Sequence, residues 1–329
     1  MPTSDGETII LPAPSPTQTY VTVSALDAGH ITLPERLFIT DADPQKKRTV
    51  PSMAFLIQHP LPEPTNIIFD LGVKRDIESY TPAQHAHILQ RQPVTVHPDV
   101  TDSLQKGGLH PSDIHKVILS HVHWDHIGTP SDFPNSEFFV GSGTQHILAH
   151  GDGPYYPAEL FHADELPANR TFEFPPTANS EPGKASEQQI PHTWYPLAGF
   201  PAVIDFFNDG SIYIVDARGH MSAHLNLLLR VGPKKWVYLG GDCCHDPRIL
   251  TGEKGIAMYD DGRGGVRSVH VDLDSAAEMV KRVRLLMGEG RVVQQEKNGD
   301  RKEVVVEVVV AHDEVWRKGN AGRFWPGRL

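Results

Sequence analysis

The sequence is short of cysteine. Its 329 residues hold two, Cys243 and Cys244, side by side. Adjacent cysteines rarely bridge each other, because the geometry is strained. A disulfide framework is excluded, and a reduced, intracellular protein is the expectation. Also absent is any apolar run near the ~20 residues that a membrane helix needs. The stretch from Met1 to Thr19 lacks the basic segment and apolar core of a secretory leader. These absences lead to a cytoplasmic location and no membrane partner. Positive charge is scarce too. There are 30 Lys and Arg against 41 Asp and Glu, a formal net charge of −11. That balance leaves no basic groove and no nucleic-acid partner to expect. No internal repeat is visible. There is no Gly-x-Ser-x-Gly elbow, which argues against a covalent serine hydrolase.

What is present supports a buried core. Hydrophobic residues make up 39% of the chain, and the length suits one large domain or two small ones. Residues 1–19, rich in Pro, Thr and Ser, read as a flexible arm. The remainder, 20–329, reads as a single domain with an insert at about 151–201. Alternation predicts strands over Tyr20–Leu26, Met53–Ile57 and Asn66–Gly72, the last two as an antiparallel hairpin. His30–Lys47 reads as irregular, because Asp41-Ala42-Asp43-Pro44 is turn-like. Thr81 and Pro82 open a helix that runs to Gln90, on which His85 and His87 are read as surface residues. A second helix, Asp99–Lys106, stops at Gly107-Gly108.

Strands follow at Ser136–Val140, Leu225–Val231 and Lys235–Asp242, with a helix opening between Ser142 and His150. Ala202–Phe207 and Ser211–Val215 flank an Asp-Gly turn and read as a hairpin. Asp274–Met287 has the helical period, capped by Asp272 or Asp274. Glu303–Val310 is a β-branched strand. In the 151–201 segment, Tyr155, Tyr156, Phe161 and Trp194 are either pocket walls or local packing, and the segment serves either the substrate or a homodimer contact.

One stretch concentrates chemistry. In Leu119-Ser120-His121-Val122-His123-Trp124-Asp125-His126-Ile127-Gly128, four metal-binding groups fall within six positions. His121 and His123 are two apart, so after a strand they point to one side. Asp125 and His126 follow where Gly128 and Pro130 force a turn. Imidazole with carboxylate suits zinc, iron or manganese better than calcium or magnesium.

This His-x-His-x-Asp-His run resembles the signature of the metallo-β-lactamase superfamily. The residues before it, Val100–Leu104 and Gly108–Ile114, resemble the branch that contains the N-acyl-homoserine-lactone lactonases. The resemblance extends from about Val21 to His312 and implies an α+β fold, a four-layer αββα sandwich. It also implies further site residues. Asp70-Leu71-Gly72 matches the family's Asp-x-Gly, where Asp70 is structural. Gly219-His220-Met221-Ser222-Ala223-His224 matches Gly-His-x-x-Gly-His, with alanine for the second glycine. His220 is then a ligand, and His224 supports a ligand or the backbone. Asp242 matches a bridging carboxylate, and His312 a terminal ligand.

The implied centre holds two divalent ions, zinc first among them. His121, His123 and His220 would take one ion, and Asp125, His126 and His312 the other. Asp242 would lie between them. Two such ions share a hydroxide that attacks a carbonyl, and Asp125 would orient it. The implied reaction is the opening of a small lactone or lactam. An aromatic lactam of the benzoxazolinone type is one candidate, since fungal members include enzymes for such compounds. In the lactonase branch a tyrosine stands three positions after the bridging aspartate. Here that residue is His245, either a substrate-facing donor or a support for a ligand. Cys243 and Cys244 read as packing residues. Three alternatives share the fold. They are a glyoxalase II-type thioesterase, a persulfide dioxygenase with one iron, and a metal-binding scaffold without activity.

Overall fold

The computed structural model describes residues 8–60, 63–181, 183–289, 291–296 and 299–329. The first seven residues of the expected arm lie outside these. The rest of that arm is not loose. β1 (Thr8–Leu11) pairs in parallel with a strand near residue 291 and buries Ile9 and Leu11. Its apolar Ile9, Ile10 and Leu11 supply the driving force that the surrounding Pro and Thr conceal.

β2 (Thr22–Leu26) comes next, then β3 (His30–Pro34) and β4 (Lys47–Pro51). These last two form an antiparallel hairpin where an irregular segment is expected. Ile31, Leu33 and Val50 are buried on it, and burying that face outweighs the turn residues between the strands. β5 (Ala54–His59) and β6 (Thr65–Phe69) follow. α1 (Pro82–Ile88) and α2 (Val100–Lys106) start with capping boxes on Thr81 and Asp99. β7 (Lys116–Ile118), β8 (Glu137–Val140), α3 (Thr144–His150) and β9 (Thr171–Glu173) complete the first half. Its sheet has the order β2-β5-β6-β7-β8-β9, antiparallel up to β6 and parallel after it.

The second half opens with β10 (Tyr195–Leu197), β11 (Phe200–Asp205), β12 (Ile212–Asp216), β13 (Leu225–Gly232) and β14 (Lys235–Leu239). α4 (Pro247–Leu250), the short pair β15 (Tyr259–Asp260) and β16 (Val266–Arg267), and α5 (Leu273–Arg284) come next. Asp272, not Asp274, caps α5. The chain ends with β17 (Arg291–Gln295), β18 (Arg301–Glu303), β19 (Val305–Val309) and α6 (Glu314–Gly319). The second sheet has the order β10-β11-β12-β13-β14-β19.

Period-two alternation decides which face meets what. Phe55, Ile57, Ile67 and Phe69 point between the sheets, where they meet Ile212, Ile214, Leu225, Leu227 and Leu229. The residues between them point outward. Leu56 and Ile68 pack with Val100 and Leu104 of α2. Tyr213, Val215 and Leu228 pack with Met279, Val280 and Val283 of α5. The layers are helix, sheet, sheet, helix, as the resemblance implies. The last residues return to the first sheet, where the Trp325 and Leu329 amides donate to the Ala25 and Val23 carbonyls. No described helix is long and apolar enough to cross a membrane.

Candidate metal centre

The site forms where loops leave both sheets at one end. The loop after β7 carries His121, His123, Asp125 and His126. It turns on hydrogen bonds from the His126 and Ile127 amides to the His123 carbonyl. A second loop clamps it. The Leu71 amide donates to the His126 carbonyl, and the Gly128 amide donates to the Gly72 carbonyl. Asp70 heads that clamp in the left-handed region, at φ 62°. Its carboxylate accepts from the Ser120 amide at 2.6 Å and the Ser120 hydroxyl at 2.7 Å, and faces His126 Nδ1 at 3.0 Å. From the other sheet come His220 after β12, Asp242 after β14 and His312 after β19. The structure thus brings together all seven residues expected as ligands.

In neutral rings, these hydrogen bonds fix which imidazole nitrogens lack a proton. The Ser120 hydroxyl gives its one hydrogen to Asp70, so it accepts from His121 Nδ1, 2.9 Å away, and His121 Nε2 is bare. Asp70 takes the Nδ1 hydrogen of His126, and the Pro51 carbonyl takes that of His312 at 2.7 Å. Both therefore aim a bare Nε2 inward, at 3.2 Å and 3.1 Å from the same oxygen, Asp242 Oδ1. The other carboxylate oxygen, Oδ2, lies 3.8 Å from His121 Nε2 and 3.5 Å from His220 Nε2. His123 Nδ1 sits 3.1 Å from His121 Nε2 and 2.9 Å from His220 Nε2. Asp125 Oδ2 is 3.6 Å from His312 Nε2.

Lone pairs do not face lone pairs in a buried site without a positive charge between them. Asp242 Oδ1, His126 Nε2 and His312 Nε2 are buried and have no hydrogen-bond partner. The donor set therefore fits divalent metal.

The electrostatics divide the same way. Burial, then the neighbouring imidazoles, hold His121 and His220 well below the ordinary histidine range. Burial also presses on His126 and His312, but the Asp242 and Asp125 carboxylates overcome it and push both up, so a positive charge is drawn to each Nε2, as a proton where no cation takes its place. Burial would raise Asp242, yet the facing His126, His312 and His245 imidazoles hold it well below the carboxylate range. Burial pushes His224 down to about 3, and its Nε2 accepts the Asp242 amide hydrogen at 3.1 Å. It thereby supports the backbone under Asp242.

His245 lines the cleft above these groups, with Nε2 3.0 Å from Asp242 Oδ2. The cleft is narrow, with about 600 Å³ of space that includes open solvent at its mouth. Ile31, Leu33, Phe38, Trp124 and Tyr156 form its apolar walls. Of the aromatic residues expected there, Tyr156 packs on His123 with ring centroids 4.8 Å apart, and Phe161 stacks on the same ring at 6.4 Å. Tyr155 instead lies under Arg267 and bonds Asp261. Trp194 packs in the inter-sheet core and bonds the Pro175 carbonyl, so it is no wall of this cleft.

His87, read as a surface residue, lines the cleft against Trp124. It lies one turn before Arg91, and nothing in the helix pattern marks that face as covered. His270 is a residue the sequence reading missed. It is buried with His220 and His245, and the backbone after it bonds the His220 turn through Val271. No motif marks it, and only that pairing brings it to the site. Cys243 and Cys244 are free, buried packing residues.

Comparisons with known proteins bear on the family. No protein-family model matches the chain. It is 31% identical over 249 residues to cytochrome P450 monooxygenase mpaDE of Penicillium brevicompactum, covering 73% of this chain and 27% of that protein. The chain thus spans less than a third of that relative, and the relative's name describes the whole of it. Gamma-lactamase MBL2 of Gibberella moniliformis is 30% identical over 184 residues, 54% of this chain and 70% of that one. A solved quorum-quenching N-acyl homoserine lactone lactonase superposes with a TM-score of 0.61 at 15% identity, covering 95% of this chain and 100% of that one. With its two six-stranded sheets, its outer helices and its histidine and aspartate cluster at their common end, the chain belongs to the metallo-β-lactamase superfamily, among its lactonase- and lactamase-like members.

Proposed function

We propose that this chain is a metal-dependent hydrolase that opens a cyclic ester or amide of a small molecule. The observation that carries the reading is Asp242. One of its oxygens faces His121 and His220, and the other faces the bare nitrogens of His126 and His312. In this reading His121, His123 and His220 hold one divalent cation and Asp125, His126 and His312 a second, with Asp242 shared. Nitrogen and carboxylate donors favour zinc. Bound ions of this kind supply Lewis acidity at a carbonyl oxygen and a water that ionises near neutral pH.

The chain's own residues do the rest. Asp125 accepts a hydrogen bond from the attacking water and aims it. Trp124 and Tyr156 limit the entry of bulk water from the side. His245 stands at the cleft face of Asp242 and donates a proton to the departing alkoxide or amine. The likeness to a gamma-lactamase supports a small cyclic substrate.

The test is the metal content of the purified protein together with hydrolysis of a panel of lactones, lactams and thioesters. Two equivalents of zinc with ring opening is the expected result. One equivalent of iron without hydrolysis would overturn the reading in favour of an oxygenase. His123→Ala is expected to lose metal and activity together. His245→Ala is expected to keep its metal and lose turnover by roughly 10²–10⁴-fold. Full turnover in that variant would remove the donor role.

A further inference from the structure

Arg91 follows α1 and lines the cleft that holds the metal-binding cluster. It is 8% exposed, and its Nη1 is buried without a hydrogen-bond partner. Among the described residues its guanidinium makes no contact ion pair; it lies 5.7 Å from the Phe38 ring, and the nearest charges that act on it are the Asp125 carboxylate, which favours its charged form, and Arg267, which opposes it. A guanidinium carries five donors and stays charged, and burying it unpaired is unfavourable. The molecule pairs its other buried arginine. Arg230 donates to Gln294, the Gly210 carbonyl and the Pro12 carbonyl. An arginine left open at the wall of a substrate cleft has the geometry of an anion receptor.

We infer that Arg91 receives a carboxylate carried by the substrate, so that the ring opened here belongs to an acid-bearing lactone or lactam. This rests on the reading of the site as a ring-opening hydrolase. Carboxylate is the anion that the surroundings favour. The fork of a guanidinium matches its two oxygens. One positive charge is on offer, and the walls beside it, Phe38, Ile31, Leu33 and Tyr156, accept a flat or aliphatic ring. The acid must be separate from the carboxyl group that ring opening creates, since that group forms at the Asp242 cluster. Arg91 would then fix which end of the molecule enters first, and neutral lactones would fit poorly.

The test compares ring-carboxylated phthalides with their methyl esters, which match in shape and lack the charge. Both are given to the zinc-loaded wild type and to Arg91→Gln and Arg91→Lys, with zinc content measured for each. The expected preference for an acid over its ester in kcat/KM is about 10- to 100-fold, as for a charge-assisted hydrogen bond. It is expected to fall to about one in R91Q and to be partly kept in R91K. The same ligands are also titrated calorimetrically, which reads Arg91 whether or not a ring opens. If no ring opens, the hydrolase reading fails, while tighter binding of the acid that R91Q abolishes still supports the receptor. Equal binding of acid and ester by the wild type, or a preference that survives R91Q with zinc retained, would overturn it.

Discussion

Asp70 touches none of the positions where a metal would sit, yet it decides how His126 meets one. Its carboxylate draws the Nδ1 hydrogen of His126 and leaves Nε2 free to face Asp242. His224 works in the same indirect way, through the Asp242 amide. It can do so only while its ring is neutral. Burial lowers the pKa of His224 to about 3, and burial with His245 lowers that of His270 to about 3. In the unfolded chain each takes a proton below about 6.5. Their contribution to stability is therefore complete above about 6.5 and declines as the pH falls toward 3. The slope is about 1.4 kcal/mol per pH unit for each group. Urea midpoints between pH 7.5 and 5 should drop steeply, and less so for His224→Gln, whose amide oxygen can accept the same hydrogen bond without titrating.

Which residues were legible follows from how they are placed. His121, His123, Asp125 and His126 share one loop and announce themselves. His220, Asp242 and His312 are readable only through the order of their turns. His87 and Arg91 reach the cleft, and His270 the ring cluster of His220 and His245, by packing, and they leave no local pattern.

Among the elements, the clamp between the loops after β6 and β7 is a tight fit near the site. Gly72 lies at φ 68°, and a Cβ there would fall 2.2 Å from the Ala28 carbonyl oxygen. Gly72→Ala would meet both the left-handed backbone and that clash. The expected loss is roughly 2–5 kcal/mol, read as a lower urea midpoint at unchanged slope. A loss under ~1 kcal/mol would mean that the clamp yields more readily than its contacts imply.

Strands with strict alternation, such as β5 and β13, could be read from their residues, because each face has its own partner. The β3–β4 hairpin could not. Its partner strand is itself, its connection is rich in turn formers, and its burial comes from walling the cleft. β1 fails for another reason. Its pairing strand β17 lies some 280 positions later, judged from Thr8↔Arg291, and no local signal spans that distance.

At the scale of the whole molecule, the two sheets divide the chain cleanly. The first sheet ends at Glu173 and the second begins at Tyr195. The ends of the chain ignore that division. β1 crosses to pair with β17, and the residues from Phe324 cross back to bond β2. The site ignores it as well, since each set of three proposed ligands takes two residues from the first half and one from the second. A backbone cut between residues 174 and 194 would therefore yield two pieces, neither with a complete centre. Each would hold an edge strand or tail that the other needs. Mixed together, they should reassemble in proportion to added zinc and come apart with a chelator, which size-exclusion chromatography would register. The fold would then act as a reporter of zinc, built from two fragments that recognise each other through the ion they share.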